Sequence, residues 1–306
     1  MSRYVPLATM AVESPVTPNG LDLDTIVLFV SDMVASRSFY ERTLGLTPLA
    51  AGPAAAVYPA GRLRLGLLPA REHGVVLEDG LDRSADITFM VDDFARVHDV
   101  LEQRGLRFSR TLEYSIGITA DFFDPDGHWF SLYQPSEEAL RRPSGDVLRR
   151  LASPSGDDLA GAPIPYVFLF FGDPEAAADF YGLTLALDVV EGGACRRVPT
   201  DIESGVIKYD VASTMLTTHH VDSDDRRFRV ATVGTTGVAL AFRVADLGRQ
   251  VADLARRGVA FADPDLESPI GRLARFADPA GHVLLLREPH PEGETAGAGA
   301  FATAGA

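Results

Sequence analysis

The sequence predicts an α+β fold built from four βαβββ units, which form two tandem copies of a paired module. Three sequence blocks recur in the same order in both halves of the 306-residue chain. Within each half, short runs rich in β-branched and aromatic residues alternate with helical patterns, as in mixed folds. Both halves also close with an Asp-Pro-x-Gly-His sequence, which is typical of a hairpin turn.

The repeat is the strongest feature of the chain. DMVASRSFYERTLGL at residues 32–46 aligns with DPEAAADFYGLTLAL at residues 173–187, at an offset of 141 positions (173 − 32). The other two blocks pair residues 91–108 with 244–261 and residues 113–128 with 267–282. Three matches in one order indicate duplication. We therefore expect an N-terminal extension (1–21), a first domain (22–135), a linker (136–162), a second domain (163–289) and a disordered tail (290–306).

Capping and stop residues place the helices within each copy. Asp32 and Asp173 follow apolar strand-like runs and suit the N-cap of a helix, because a carboxylate accepts the first free backbone N–H groups. Gly105 and Gly258 end the second helical pattern of each copy, as glycine commonly does. Each copy is thus predicted to contain two βαβββ units.

Charge and cysteine content limit the range of functions. The formal net charge of −15 gives the surface potential the wrong sign for a nucleic-acid-binding protein. Cys195 is the single cysteine, so neither an intrachain disulfide nor a CxxC motif can form. The sequence shows no signal peptide and no apolar run of membrane-spanning length. We expect a cytoplasmic protein with no membrane partner.

Four features carry a resemblance to a known family. They are the first strand followed by Asp, the Phe-Tyr pair in the next helix (residues 39–40 and 180–181), the leucines after it, and the closing DPDGHWFSLYQP hairpin. The chain resembles the vicinal oxygen chelate superfamily, of the glyoxalase, bleomycin-resistance and extradiol-dioxygenase type. The resemblance implies two cup-shaped half-barrels, one per copy. It leaves the activity open, because this fold hosts enzymes and drug-binding proteins alike.

Family members commonly hold a divalent metal with side chains on four strands of the cup. The positions that match these columns are Thr25, Gly66, Asp86 and Ser131 in the first copy, and Tyr166, Thr217, Ala239 and Leu285 in the second. A catalytic transition metal needs about three His or carboxylate ligands. Slips of one or two residues bring in only Asp24, Asp121, His128, Asp210, His219 and His282. The sequence therefore predicts no metal and no other cofactor.

Strand alternation predicts the side chains that line each cup. In the first copy the predicted ligand-binding residues are Thr25, Phe29, Thr88, Trp129 and Ser131, together with Asp86 and Tyr133. In the second copy they are Tyr166, Phe168, Phe170, Met215, Thr217 and His219. Mixed walls of this kind suit a flat or apolar molecule held by a few polar groups, although the same rings could simply fill the barrel.

Two functions remain open from the sequence. The first is metal-independent binding of an aromatic or cationic metabolite or antibiotic. The second is an enzyme of the same superfamily, either a metal-free isomerase, lyase or cyclase using Asp86 and Tyr133 as tentative catalytic residues, or a dioxygenase-like protein with displaced metal ligands. In both cases the partner is a small molecule, and the protein is a monomer or a homodimer.

Overall fold

The computed structural model describes residues 19–77, 82–152, 156–192, 205–221, 237–268 and 271–289. Most of the N-terminal extension, the predicted disordered tail and Cys195 lie outside the described residues. Among the described residues, no helix combines the length and the apolarity that a membrane span requires.

The described residues form four βαβββ units, as predicted. Unit 1 contains β1 (Asp22–Val30), α1 (Met33–Ser38), β2 (Ala50–Ala51), β3 (Ala56–Ala60) and β4 (Leu63–Pro69). Unit 2 contains β5 (Asp82–Met90), α2 (Phe94–Gln103), β6 (Arg110–Tyr114), β7 (Gly117–Phe123) and β8 (His128–Pro135). Unit 3 contains β9 (Tyr166–Phe171), α5 (Pro174–Ala178), β10 (Asp188–Glu191), β11 (Val206–Asp210) and β12 (Met215–His220). Unit 4 contains β13 (Val238–Arg243), α6 (Leu247–Arg256), β14 (Phe261–Ser268), β15 (Gly271–Ala277) and β16 (Val283–Glu288).

The two copies share their sheets. Sheet I has the order β14-β15-β16-β13-β1-β4-β3-β2, and sheet II has the order β10-β11-β12-β9-β5-β8-β7-β6. Units 1 and 4 therefore form one sheet, and units 2 and 3 form the other. The junctions are antiparallel pairs, β1 with β13 and β5 with β9. The expectation of one cup per copy is wrong, because each half-barrel combines strands of both copies.

Local sequence explains the first helix of each copy. The Asp32 side chain accepts hydrogen bonds from the backbone N–H groups of Val34 and Ala35, and Asp173 caps α5 in the same way. Both helices continue as a π-helical turn, Phe39–Thr43 in the first copy and Asp179–Thr184 in the second. The turn directs Tyr40 into the interior, where it is fully buried.

One continuous core joins both sheets and their helices. Alternate residues of the junction strands, such as Ile26, Ile87, Val167 and Leu240, pack into this single cluster. The opposite faces of the sheets carry separate, smaller clusters. We call these faces cup I, on sheet I, and cup II, on sheet II.

The segment between the copies is more structured than the sequence indicates. A linker is expected there, but the structure shows two helices, α3 (Glu137–Arg141) and α4 (Gly145–Leu151). Val147, Leu148 and Leu151 of α4 pack against cup II. The apolar residues of the amphipathic helix α4 thus cover part of the cup instead of facing solvent.

Candidate functional site

Cup II collects most of the residues that the sequence marks for binding. Eleven of the thirteen predicted site residues belong to its strands: Asp86, Thr88, Trp129, Ser131, Tyr133, Tyr166, Phe168, Phe170, Met215, Thr217 and His219. Thr25 and Phe29 lie on β1 and belong to cup I. The two predicted walls are therefore opposite halves of one cup.

Cup I is apolar and covered by the chain itself. Its cluster contains Val27, Phe29, Ala239, Ala241, Leu273 and Leu285. The turn Ala70–His73 and the residues after it lie against this cluster, with Ala70 and Val75 in contact and the His73 ring 5.8 Å from that of Phe29. At its edge, Arg287 forms a buried ion pair with Asp24, and Thr25 donates to the same carboxylate at 3.1 Å. Cup I has the character of a packed interior.

Cup II has an aromatic wall. The Trp129 and Phe170 rings stack at 5.6 Å between centroids with an interplanar angle of 17°. Phe168 lies beside them on β9 and contacts the Tyr166 ring at 5.5 Å. Phe168 and His219 are only partly buried, whereas Trp129, Tyr166 and Phe170 are buried. Part of this wall is therefore exposed to solvent.

A buried polar cluster lies next to this wall. In sheet II, Asp86 of β5 lies beside Trp129 of β8 on one side and beside Phe168 of β9 on the other. Ser131 Oγ lies 3.0 Å from Asp86 Oδ2 and 3.0 Å from Asp121 Oδ1. The sequence indicates Asp121 only as a displaced metal ligand.

The second carboxylate of the cluster has a cationic partner, whereas the first has none among the described contacts. Arg110 forms a close ion pair with Asp121, and its guanidinium lies 5.7 Å from the centroid of the Trp129 ring. Asp86 Oδ1 is shielded from solvent and has no hydrogen-bond partner within the described part of the chain. Burial raises the pKa of the Asp86 carboxyl well above its usual range, and the charge of Asp121 raises this pKa further.

Tyr133, the second tentative catalytic residue, lies apart from Asp86. The Tyr133 hydroxyl donates to the carbonyl of Ile116 at 2.8 Å. In the register of β5 and β8, Tyr133 lies beside Met90, whereas Asp86 lies beside Trp129. Ser131 is therefore the hydroxyl that contacts Asp86.

The far side of cup II carries two further polar residues. Thr217 faces Phe168 across β12 and β9, and its buried hydroxyl has no hydrogen-bond partner among the described residues. Burial lowers the pKa of His219 to about 4, and the neighbouring His220 adds to this effect. His219 is thus a neutral imidazole near pH 7, with its ring 5.6 Å from that of Phe170.

The linker helices close one end of cup II. Met90, Tyr133, Tyr166 and Met215 form one cluster with the apolar residues of α4. Ion pairs join the linker to the sheet edge, including Arg150 with Asp210 at 2.7 Å and Arg142 with Glu191 at 3.7 Å. The partly exposed residues of the aromatic wall, Phe168 and His219, lie further along β9 and β12.

Among the residues that the structure describes, neither cup provides a suitable metal site. The matched columns place Asp86, Ser131, Tyr166 and Thr217 in cup II, and Thr25, Gly66, Ala239 and Leu285 in cup I. The matched columns of cup II therefore offer one carboxylate where about three strong ligands are needed, and the second carboxylate of the cluster, Asp121, is ion-paired with Arg110. Within the described ranges, three potential ligand atoms approach within 4.8 Å of one another only at His98, Asp99 and Glu102. These residues lie on α2, outside both cups.

His128 and His282, the remaining metal candidates, have structural partners. His128 Nδ1 lies 2.8 Å from Asp124 Oδ2, which also accepts a hydrogen bond from Tyr40 at 2.7 Å. His128 Nε2 lies 3.1 Å from the carbonyl oxygen of Gly237 in the other copy. The second copy repeats the arrangement with Tyr181, Asp278, His282 and the carbonyl oxygen of Ser84. Both histidines thus connect the two copies.

Replacing Asp86 with Asn is expected to stabilise the protein increasingly as the pH rises. The folded protein holds the Asp86 proton up to a higher pH than the unfolded chain does, because burial and Asp121 raise the pKa of Asp86. Between the pKa of Asp86 in the unfolded chain and its higher pKa in the folded protein, the free energy of unfolding of the parent falls by about 1.4 kcal/mol per pH unit. Asn has no proton to lose and avoids this loss.

Urea denaturation of both proteins across a pH series measures the effect. Asp99→Asn, at an exposed position of α2, serves as the control and should follow the parent. A constant difference between Asp86→Asn and the parent at every pH would show that Asp86 ionises normally.

Comparisons with known proteins agree with this architecture. The family model of the glyoxalase/bleomycin resistance protein/dioxygenase superfamily matches residues 22–132 and 164–286. Glyoxalase I from Zea mays is similar with a TM-score of 0.61 and 17% sequence identity, covering 88% of this chain and 92% of its own. A putative dioxygenase from Bacillus subtilis is similar with a TM-score of 0.61 and 14% identity, covering 88% of this chain and 86% of its own.

A shorter similarity involves an antibiotic binding protein from Streptomyces sp. CB03234, with a TM-score of 0.33 and 26% identity over 41% of this chain and 94% of its own. No curated protein matches the chain. The family model covers most of both copies, and the four βαβββ units form the paired half-barrels of that family. The chain belongs to the glyoxalase/bleomycin resistance protein/dioxygenase superfamily, also called the vicinal oxygen chelate superfamily.

Proposed function

We propose that this protein binds a small planar aromatic molecule in cup II without the help of a metal. The observation that carries the proposal is Asp86 Oδ1, a buried acceptor with no partner among the described residues, beside an aromatic wall. A buried polar atom without a partner costs free energy. A ligand that donates a hydrogen bond to Oδ1 would recover that cost.

The wall supplies the remaining affinity. Trp129, Phe168 and Phe170 present ring surface next to Asp86, and the partial exposure of Phe168 leaves a face for stacking. Small-molecule sites commonly combine an apolar wall with a few polar groups in this way. Thr217 offers a second hydrogen-bonding group on the opposite side of Phe168. A ligand with a fused-ring body and polar groups at both edges fits this row of side chains.

The contrast between the cups favours one binding site per chain. Cup I is covered by its own turn at Ala70–His73, and the carboxylate at its edge, Asp24, is already paired with Arg287. We therefore assign a supporting role to cup I and ligand binding to cup II.

A metal-free proton-transfer enzyme is the second candidate. Its support is the presence in cup II of a carboxyl with a raised pKa, Asp86, and a neutral imidazole, His219. Pairs of groups with pKa values shifted in opposite directions are typical of general acid–base catalysis. Turnover that falls by about 100-fold or more in both Asp86→Asn and His219→Ala would favour this candidate over simple binding.

Removing the ring of Phe168 is expected to weaken binding of a bicyclic aromatic probe such as naphthylmethanol about tenfold, because Phe168→Ala deletes stacking surface. Trp129 is the single tryptophan of the chain and lies in cup II, so its fluorescence reports binding directly. EDTA should leave the affinity unchanged.

Phe29→Ala, in cup I, is the matched control and should retain the parent affinity while circular dichroism confirms folding. A larger loss for Phe29→Ala than for Phe168→Ala would place the site in cup I. Loss of binding after EDTA, restored by a divalent cation, would overturn metal independence.

A further inference from the structure

Ser131 cannot form hydrogen bonds with both Asp86 and Asp121 if both carboxyl groups are ionised. Ser131 Oγ lies 3.0 Å from Asp86 Oδ2 and 3.0 Å from Asp121 Oδ1, and both distances are those of hydrogen bonds. A hydroxyl has one hydrogen, so it can donate to only one of them. The other carboxyl must be protonated and donate to Ser131 Oγ.

The position of Arg110 shows which carboxyl carries the proton. Asp121 is ion-paired with Arg110 and is therefore the ionised member. Asp86 then donates from Oδ2 to Ser131, and Ser131 donates to Asp121. The relay leaves Asp86 Oδ1 as a carbonyl-type acceptor within the cup.

Arg110 is ion-paired with Asp121, and its charge acts on Asp86 less strongly than that of Asp121 does. On one side of Asp86, the polar groups of the cluster are Ser131 on β8, Asp121 on β7 and Arg110 on β6. Its neighbour on β9 is the apolar Phe168, followed by Thr217 on β12. The more distant titratable groups are His219, which is neutral near pH 7, Tyr166, and Lys208, which is paired with Glu191 at 3.2 Å. The cluster thus contains two carboxyls and one guanidinium.

We propose that cup II selects planar aromatic compounds that carry a protonated amine, and that Asp86 exchanges its proton for this amine on binding. The O–H bond of the Asp86 carboxyl breaks, its proton passes to solvent, and the ammonium group of the ligand donates to the resulting carboxylate. One positive charge enters as one leaves, so the net charge buried in the cup does not change. The inference rests on the proposed function and specifies its ligand class.

Exchange also fits the surroundings of Asp86. The ammonium group would lie beside Trp129 and Phe168, whose ring faces attract cations. A neutral ligand would form a neutral hydrogen bond with the protonated Asp86. An ammonium group forms a charge-assisted hydrogen bond with the ionised Asp86, which is about twice as strong. The exchange thus converts an unpaired oxygen into a source of specificity.

Naphthylmethylamine and naphthylmethanol test the proposal, because they share a ring system and differ in charge. Titration calorimetry in two buffers of different ionisation enthalpy counts the protons released on binding. Below the pKa of Asp86 we expect the amine to release close to one proton, and its affinity to rise about tenfold per pH unit. The alcohol should release none and show no such slope.

Two substitutions provide the controls. Asp86→Asn keeps the relay, since its amide can donate to Ser131, but it cannot ionise. It should reduce the affinity for the amine about 10- to 100-fold and abolish proton release. Asp121→Asn removes the charge that raises the pKa of Asp86, so it should move the pH midpoint of amine binding to a lower value.

The outcomes separate the inference from the proposed function. Equal affinities for the amine and the alcohol, without proton release, would overturn proton exchange and leave aromatic binding in cup II intact. Amine binding that is unaffected by Asp86→Asn would also overturn the exchange. Failure of both probes to bind would overturn the proposed function itself, together with the inference.

Discussion

Replacing His128 with alanine is expected to lower the free energy of unfolding by about 3 to 5 kcal/mol. Both ring nitrogens of His128 face acceptors, Asp124 Oδ2 at 2.8 Å and the carbonyl oxygen of Gly237 at 3.1 Å. The buried ring thus contacts two acceptor groups. Its removal leaves the Asp124 carboxylate buried without its charge partner, and also breaks a contact between the two copies.

The duplication provides an internal repeat of this experiment. His282→Ala should cost a similar amount, since Asp278 and the carbonyl oxygen of Ser84 replace the two acceptors at 2.7 and 3.1 Å. His73→Ala, at an exposed position, should change the free energy of unfolding by less than about 1 kcal/mol. Urea denaturation measures all three variants. Losses below about 1 kcal/mol for both His128 and His282 would show that these hydrogen bonds add little to stability.

The turns that contain these histidines could be predicted from the sequence, but their contacts with the other copy could not. The Asp-Pro-x-Gly-His pattern predicted the two turns, and the structure confirms them, with Gly127 and Gly281 at positive φ values of 84° and 94°. The same pattern could not show that His128 and His282 reach into the other copy. Their acceptors are backbone carbonyls, which leave no mark in a sequence.

Strand alternation predicted which side chains share a face, because a residue on a strand has the same face as its second neighbours. It could not predict which strands become neighbours. Nothing in the apolar pattern of β1 distinguishes β5 of its own copy from β13 of the other, since both are buried strands that begin a unit. For that reason the two predicted walls were assigned to different cups, although they face each other in cup II.

The partner of Asp121 could have been found from the sequence. β6 and β7 form a tight hairpin at Ser115 and Ile116, and counting outwards from this turn pairs Arg110 with Asp121. This opposite-charge pair on one face of a hairpin was a signal for the polar cluster. The hydroxyl bridge at Ser131 was less accessible, because it depends on the packing of β8 between β5 and β7.

Cutting the chain between residues 154 and 155 is expected to yield two halves that do not fold as monomers. Each half would expose the edges of two central strands: β1 and β5 in the first, β9 and β13 in the second. Unpaired central strands expose both backbone hydrogen-bonding groups and apolar side chains. The shared core would also be divided, since residues of both copies pack in one cluster.

Size-exclusion chromatography with light scattering and circular dichroism measures this outcome. Each half alone should aggregate or self-associate, because only another copy can cover the exposed strands. Co-expression of the halves should give a one-to-one complex with the secondary structure of the intact chain, and this complex is the control for damage by the cut itself. Its Trp129 fluorescence should respond to naphthylmethanol like that of the parent, because cup II needs β5 and β8 from one half and β9 and β12 from the other. A first half that remains a folded monomer, and binds the probe by itself, would contradict both the shared sheets and the placement of the site across them.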